Sequence, residues 1–241
     1  MDKPTVLVFG GAGGIGAAVV RKLSDTARIV IASRSQERLE SVAAETGALP
    51  FIADVTEPGA TDAAVEFARS QTGRLDGVVH CVGSILLKAA HQTSDAEWSS
   101  VLTLNLTSAF FALRSGAKAM MSSGGSIVLM SSAAGRFGLP NHEAIAAAKA
   151  GIIGLTQAAA ATYSRYGIRV NCVAPGLVRT PLSARITGNE ASLKASEAMH
   201  ALGRIGEPEE VAEVIVHLLW SKWITGQTIG VDGGLATVKS R

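Results

Sequence analysis

Short apolar runs alternate with longer amphipathic ones along nearly the whole chain. Thr5–Phe9, Arg28–Ala32, Leu49–Ala53, Leu75–Cys81, Ser126–Ser131, Ile168–Val173 and Gln227–Val231 are compact and apolar, several of them rich in β-branched residues. Runs of this length between turn residues predict strands buried on both faces. The intervening stretches predict helices over Ala17–Leu23, Gln36–Glu45, Ala60–Ser70, Asp95–Met121 and Ile145–Tyr163, with a further one opening at Glu207-Pro208-Glu209-Glu210. Pro208 suits a first helical turn, and Gly47 suits the position just past a helix end. Regular strand–helix alternation predicts an α/β fold: a doubly wound parallel sheet of about seven strands with helices on both faces. No Pro/Ser-rich linker or charge run divides the sequence, so residues 1–241 read as one domain, and no fixed-period repeat is visible.

Composition narrows the function classes. The chain is 47% hydrophobic and 17% charged, enough apolar residues for a large core without covalent staples. Its net charge of +2 gives no electrostatic basis for binding nucleic acid or an anionic membrane. Cys81 and Cys172 both fall in strand-like runs and read as buried free thiols of a reducing compartment. The Met1–Pro4 start lacks a signal-peptide layout and no apolar run reaches spanning length, so a cytoplasmic location is expected. No His, Cys or carboxylate cluster has metal-ligand spacing, so no metal is expected. His80 reads as a core histidine or the floor of a cofactor site. His91, Trp98, Trp220 and Trp223 read as packing residues.

Candidate chemistry begins directly after the first strand. Gly10-Gly11-Ala12-Gly13-Gly14-Ile15-Gly16 satisfies both G-x-G-x-x-G (from Gly11) and the longer G-x-x-x-G-x-G spacing (from Gly10). Such a turn between a strand and a helix lets the backbone approach a dinucleotide pyrophosphate at the helix N-terminus. The residue choosing between NAD(H) and NADP(H) belongs at the end of the second strand, where the chain reads Ser33-Arg34-Ser35. No carboxylate is present there to hold a ribose 2′-hydroxyl, and Arg34 suits a 2′-phosphate. NADP(H) is therefore expected over NAD(H); the alternative is that Arg34 is simply a solvated surface residue.

The glycine spacing, Asp54, Asn105, Ser132, Lys149 and Asn171-Cys172-Val173-Ala174-Pro175-Gly176 together resemble the short-chain dehydrogenase/reductase family, in particular its acyl-carrier-protein reductase-like branch. The resemblance extends over nearly the whole chain, to Ile224-Thr225-Gly226-Gln227 and Val231-Asp232-Gly233-Gly234. It implies a Rossmann-type fold and hydride transfer between a nicotinamide cofactor and a small carbonyl or alcohol substrate. By this resemblance Gly10, Gly14 and Gly16 hold the pyrophosphate, and Ile15, Ser33 and Arg34 are taken with them as cofactor-binding residues. Asp54 and Val55 would contact adenine, and Gly83 would lie on the cofactor's path. Cys81-Val82-Gly83 stands where the family has Asn-Ala-Gly, so the asparagine's hydrogen bonds are lost. Asn105 would belong to the proton relay through its backbone carbonyl. Ser132 would position the substrate oxygen and Lys149 would bind the nicotinamide ribose. Pro175, Gly176 and Thr180 would receive the carboxamide.

The same resemblance puts a catalytic tyrosine four residues before the lysine, and that position holds Ile145. Tyr163 and Tyr166 lie far beyond Lys149. Carbonyl reduction needs a proton on oxygen as well as hydride on carbon, and loss of a positioned acid typically slows such a step by ~10²–10⁴-fold. His142, three residues before Ile145, is a candidate substitute acid; its alternative reading is an exposed loop histidine. Glu143, Ser132, or a water chain from Lys149 and Asn105 are the other sources. Three functions remain: an oxidoreductase with an atypical proton relay, a non-catalytic nucleotide-binding protein of the same fold that serves as a sensor or as the partner of an active relative, or non-redox chemistry on a reused fold. The segment from Leu182 to Leu202 is expected on the substrate side. Small residues on the two long helices (Ala109, Ala112, Gly116, Gly151, Gly154, Ala158) favour close helix packing, and the resemblance implies a homotetramer or homodimer.

Overall fold

In the computed structural model, which describes residues 3–238, seven parallel strands form one sheet in the order β3-β2-β1-β4-β5-β6-β7. They are β1 (Thr5–Phe9), β2 (Arg28–Ser33), β3 (Leu49–Ile52), β4 (Gly77–His80), β5 (Gly125–Met130), β6 (Ile168–Pro175) and β7 (Thr228–Val231). The helices are α1 (Gly14–Leu23), α2 (Gln36–Thr46), α3 (Ala60–Thr72), α4 (Asp95–Leu102), α5 (Ser108–Met120), α6 (Glu143–Tyr163), α7 (Ala184–Thr187), α8 (Glu190–Met199) and α9 (Pro208–Trp220).

The pleat of β1 shows how the sequence builds two cores. Leu7 and Phe9 join a cluster with α3, α5 and α6, while Val6 and Val8 join one with α1, α2 and α9. Alternate side chains of a strand face opposite sides, so a wholly apolar strand must be covered twice. Two polar residues tie the last strand into the sheet. Arg169 donates to the carbonyls of Leu218, Leu219 and Ser221 and so caps the end of α9. Asn171 donates to the Ile224 carbonyl and accepts from the Gln227 amide, fixing the approach to β7.

Several boundaries differ from the sequence reading. α1 starts at Gly14 rather than Ala17, because glycines with no side chain to place continue into the first turn. β6 runs on to Pro175, since its pairing with β7 continues to Pro175 opposite Val231. The expected helix Asp95–Met121 is α4 and α5 joined by a wide π-type turn, Thr103–Thr107. Ala109, Ala112 and Gly116 are buried within the chain, and Gly116 abuts Val78 of the sheet; only Gly154 and Ala158 of the small residues are exposed. Trp98 and Trp220 are part-exposed and Trp223 is 99% exposed, so these are not core packing residues. Helix α6, with the turn following it, is long and apolar enough by composition to cross a membrane, contrary to the sequence expectation. In the fold, Ile152, Ala159 and Ala160 of this helix join the core beneath the sheet, and Lys149 is buried.

Candidate active site

A cleft of about 840 Å³ opens at the C-terminal ends of the strands, where the order reverses between β1 and β4. Open α/β sheets bind ligands at such switch points. Gly10 leaves β1 with φ 76°, a left-handed conformation that L side chains rarely adopt, and donates to the Ala32 carbonyl at 2.8 Å. A Cβ on Gly16 would run into the Gly10 carbonyl, and one on Gly14 would lie 2.6 Å from Thr180 Cγ2. Gly13 caps α1 without a side-chain hydrogen bond, so the first amides of the helix stay open to the cleft. That is a fit for an anionic pyrophosphate. Ile15 lines the same wall.

At the far end of the cleft lie Ser33, Arg34, Asp54 and Val55. Asp54 Oδ1 accepts from the Thr56 amide at 2.9 Å and the Thr56 hydroxyl at 2.7 Å. The Thr56 hydroxyl, followed by the Thr56 amide and Arg34, holds this carboxyl below its ordinary value against the opposing effect of burial. Arg34 pairs with the other oxygen at 3.5 Å and is 68% exposed. An exposed pair of this kind contributes ~0–1 kcal/mol, so the guanidinium is readily released to a ligand. Arg38, in the first turn of α2, also lines the cleft. The sequence reading passed over it, because nothing in the local pattern of α2 marks Arg38 as facing a cofactor rather than solvent.

Toward the other end, Ser132, Ile145, Lys149 and Gly83 all border the cleft. Ser131 at the end of β5 donates its hydroxyl to the Lys149 carbonyl at 2.8 Å, pinning α6 to the sheet. Ser132 accepts from the Ala134 amide at 3.2 Å and lies 3.5 Å from the Pro175 carbonyl. Lys149 Nζ donates to the Met130 carbonyl at 3.0 Å. Burial pulls the Lys149 ammonium down to about 8. Desolvation pushes the Cys81 thiol up to about 12.

Asn105 is buried behind this wall, in the wide turn between α4 and α5. Its Oδ1 accepts from the Ser84 amide at 3.0 Å, and its Nδ2 donates to Ser84 Oγ and the Val101 carbonyl at 2.9 Å each. A Cβ on Gly83 would stand 2.9 Å from Asn105 Oδ1 and 3.3 Å from Lys149 Nζ, so glycine is what lets these groups converge. Ile145 is 5% exposed and packs with Val101, Ala144 and Ala148.

His142 is not among the residues lining the cleft. It caps α6, and its Nδ1 lies 2.7 Å from the Pro140 carbonyl. Glu143 turns its carboxylate to the Ala90 amide instead. From the Leu182–Leu202 segment, only Leu182 and Ser183 line the cleft. Pro175, Gly176 and Thr180 do line it. Behind them stands His200, which the sequence reading missed. The Leu177 amide donates to its Nε2 at 3.2 Å, so Nδ1 carries the proton and donates to the Ser196 carbonyl at 2.7 Å. Among the described residues no group of three or more His, Cys, Asp or Glu is placed to hold a metal ion.

Residues 10–236 match the family model described as enoyl-(acyl carrier protein) reductase. The chain belongs to the short-chain dehydrogenase/reductase family. It is 35% identical to 3-oxoacyl-(acyl-carrier-protein) reductase of Thermotoga maritima, covering 98% of each chain. It is also 35% identical to a Xanthobacter autotrophicus protein named inactive 2-(S)-hydroxypropyl-CoM dehydrogenase 2, over 88% of this chain and 96% of that one. Among solved structures, a short-chain dehydrogenase/reductase from Mycobacterium ulcerans superposes with a TM-score of 0.92 at 32% identity, over 100% of this chain and 92% of that one. The actinorhodin polyketide ketoreductase solved with NADPH gives 0.93 at 28%, over 99% and 100%. Short-chain dehydrogenase/reductase relatives named for reductase and dehydrogenase activities thus share this fold, and the cleft described above fits a nicotinamide dinucleotide.

Proposed function

We propose that the protein is an NADP(H)-dependent oxidoreductase that interconverts a small carbonyl and alcohol, with Lys149 itself as the proton source. The carrying observation is Lys149 Nζ, which borders the cleft, has the Met130 carbonyl as its hydrogen-bond partner, and faces no titratable group at position 145. Gly10, Gly14, Ile15 and Gly16 would hold the pyrophosphate, and Asp54 and Val55 the adenine. Ser33, Arg34 and Arg38 would hold the 2′-phosphate, and Gly83, Lys149, Pro175, Gly176 and Thr180 the nicotinamide half. Bound there, the cofactor supplies the hydride. Ser132 donates a hydrogen bond that orients the substrate oxygen. Lys149, with an ammonium value near 8, releases its proton to that oxygen during reduction and takes it back during oxidation. Asn105 keeps the Gly83–Ser84 wall in place. A cytoplasmic homotetramer or homodimer completes the reading.

A second reading is a nucleotide-binding protein without turnover. The apolar packing of Ile145 favours it, as does the relative named inactive. The experiment is titration of NADPH and NADH into wild type, Arg34→Ala and Arg38→Ala, followed by NADPH consumption on a panel of ketones and β-ketoacyl thioesters. Tighter NADPH binding that each substitution weakens, with turnover, is the expected result. Equal affinities in wild type would sink the NADP(H) assignment, and binding with no turnover on any substrate would select the second reading.

A further inference from the structure

His80 is wholly buried at the end of β4, with its ring 6.3 Å from that of Phe9. Its Nδ1 has no hydrogen-bond partner among the described residues, and its Nε2 lies 3.0 Å from Ser108 Oγ. Ser108 Oγ in turn lies 2.6 Å from the Leu104 carbonyl. A carbonyl only accepts, so that short contact uses the single hydroxyl proton. Nε2 must then carry hydrogen and donate to Ser108 Oγ. Burial, reinforced by the nearby Lys149 charge, pulls the imidazole down to about 3, so the ring is neutral at ordinary pH and does not ferry protons.

Ser108 is the first residue after the wide turn. In an α-helix its amide would bond to the Leu104 carbonyl, four residues back. Here the amide reaches five residues back to Thr103, and the hydroxyl takes the Leu104 carbonyl in its place. The hydroxyl thus compensates the altered register, and His80 fixes the hydroxyl. Wide turns of this kind are rare and cluster at functional sites. Relaxation to plain α-helix would rotate Asn105 about the axis by about 100° per residue of register, away from Ser84.

We infer that His80 and Ser108 form a positioning pair that holds the Thr103–Thr107 turn open and so presents Asn105 to the Gly83–Ser84 wall of the cleft. Neither His80 nor Ser108 lines the cleft, so the pair acts through Asn105. This role is independent of whether the site turns over, and it rests on the NADP(H) reading only for its ligand readout.

The test compares wild type, His80→Leu, His80→Gln and Ser108→Ala. Amide hydrogen exchange is measured across residues 103–108, and affinity is measured for NADPH and for 2′,5′-ADP, which carries only the adenine half. His80→Leu and Ser108→Ala are expected to speed exchange at 103–108 by about tenfold, the usual scale for losing one buried hydrogen bond. They should weaken NADPH severalfold and leave 2′,5′-ADP unchanged. His80→Gln, whose amide nitrogen replaces Nε2–H, should restore both. Unchanged exchange in folded variants, or equal weakening of both ligands, would overturn the pair as a positioning device. If neither ligand binds wild type, the NADP(H) reading fails while the exchange data still decide this one. If His80→Leu fails to fold, Ser108→Ala carries the comparison.

Discussion

Residue 145 lies on the wall of this cleft. An isoleucine there contributes a well-packed apolar wall and no proton. If Lys149 is the acid, reduction by wild type should be flat below pH 8 and fall about tenfold per pH unit above it, because only the protonated ammonium donates. Ile145→Tyr would interpose a phenol between Lys149 and the substrate oxygen. The ring is larger than the side chain it replaces, so overpacking against Val101 and Ala148 should cost ~1–3 kcal/mol in a thermal melt. NADPH oxidation on the same ketone panel should rise by roughly 10²-fold. A folded variant no faster than wild type would mean that the site has diverged beyond this one residue.

At the scale of elements, the cleft is made by the joint between β1 and α1 and by the wide turn between α4 and α5. The first joint works by close approach. Gly16 lies so near the Gly10 carbonyl that Ala at 16 must push the helix start away from the strand end. Gly16→Ala is expected to lower stability by ~1–3 kcal/mol and to weaken NADPH at least tenfold, because the α1 amides would no longer face the pyrophosphate. Thermal melts and fluorescence titration measure the two effects. Unimpaired NADPH binding would show that the glycine loop is a structural turn. This joint was legible in the sequence because glycine spacing between a strand and a helix is a local signal. The wide turn was not: Asp95–Met121 has continuous helical composition, and only the contacts of Ser108 and Asn105 with residues far along the chain, His80 and Ser84, register it.

At the scale of the whole molecule, β7 is an edge strand, and next to it Trp223 is 99% exposed and Val238 56% exposed. An exposed sheet edge beside a large apolar side chain favours association with a second copy. Of the small residues expected from sequence, Ala109, Ala112 and Gly116 of α5 pack within the chain, while Gly154 and Ala158 of α6 remain exposed. Light scattering at micromolar concentration should give a dimer or tetramer mass, and Trp223→Ser should shift it toward smaller species. A monomer mass for wild type would rule out the assembly.

The seven strands, their alternation with helices, the position of the glycine loop and the absence of a carboxylate after β2 were determined by the sequence alone; the break between α4 and α5 and the short helices α7 and α8 were not. Each of the former depends on residues close together in the chain, where periodicity and glycine chemistry act directly. Tertiary structure decided the rest. It placed Arg38 on the cleft wall with Arg34 and left His142 off it. It buried Lys149 enough to bring its ammonium down to about 8, and it set His80 against Ser108. Those outcomes depend on desolvation and on hydrogen bonds between residues distant in sequence, which only the packed sheet and helices bring within reach.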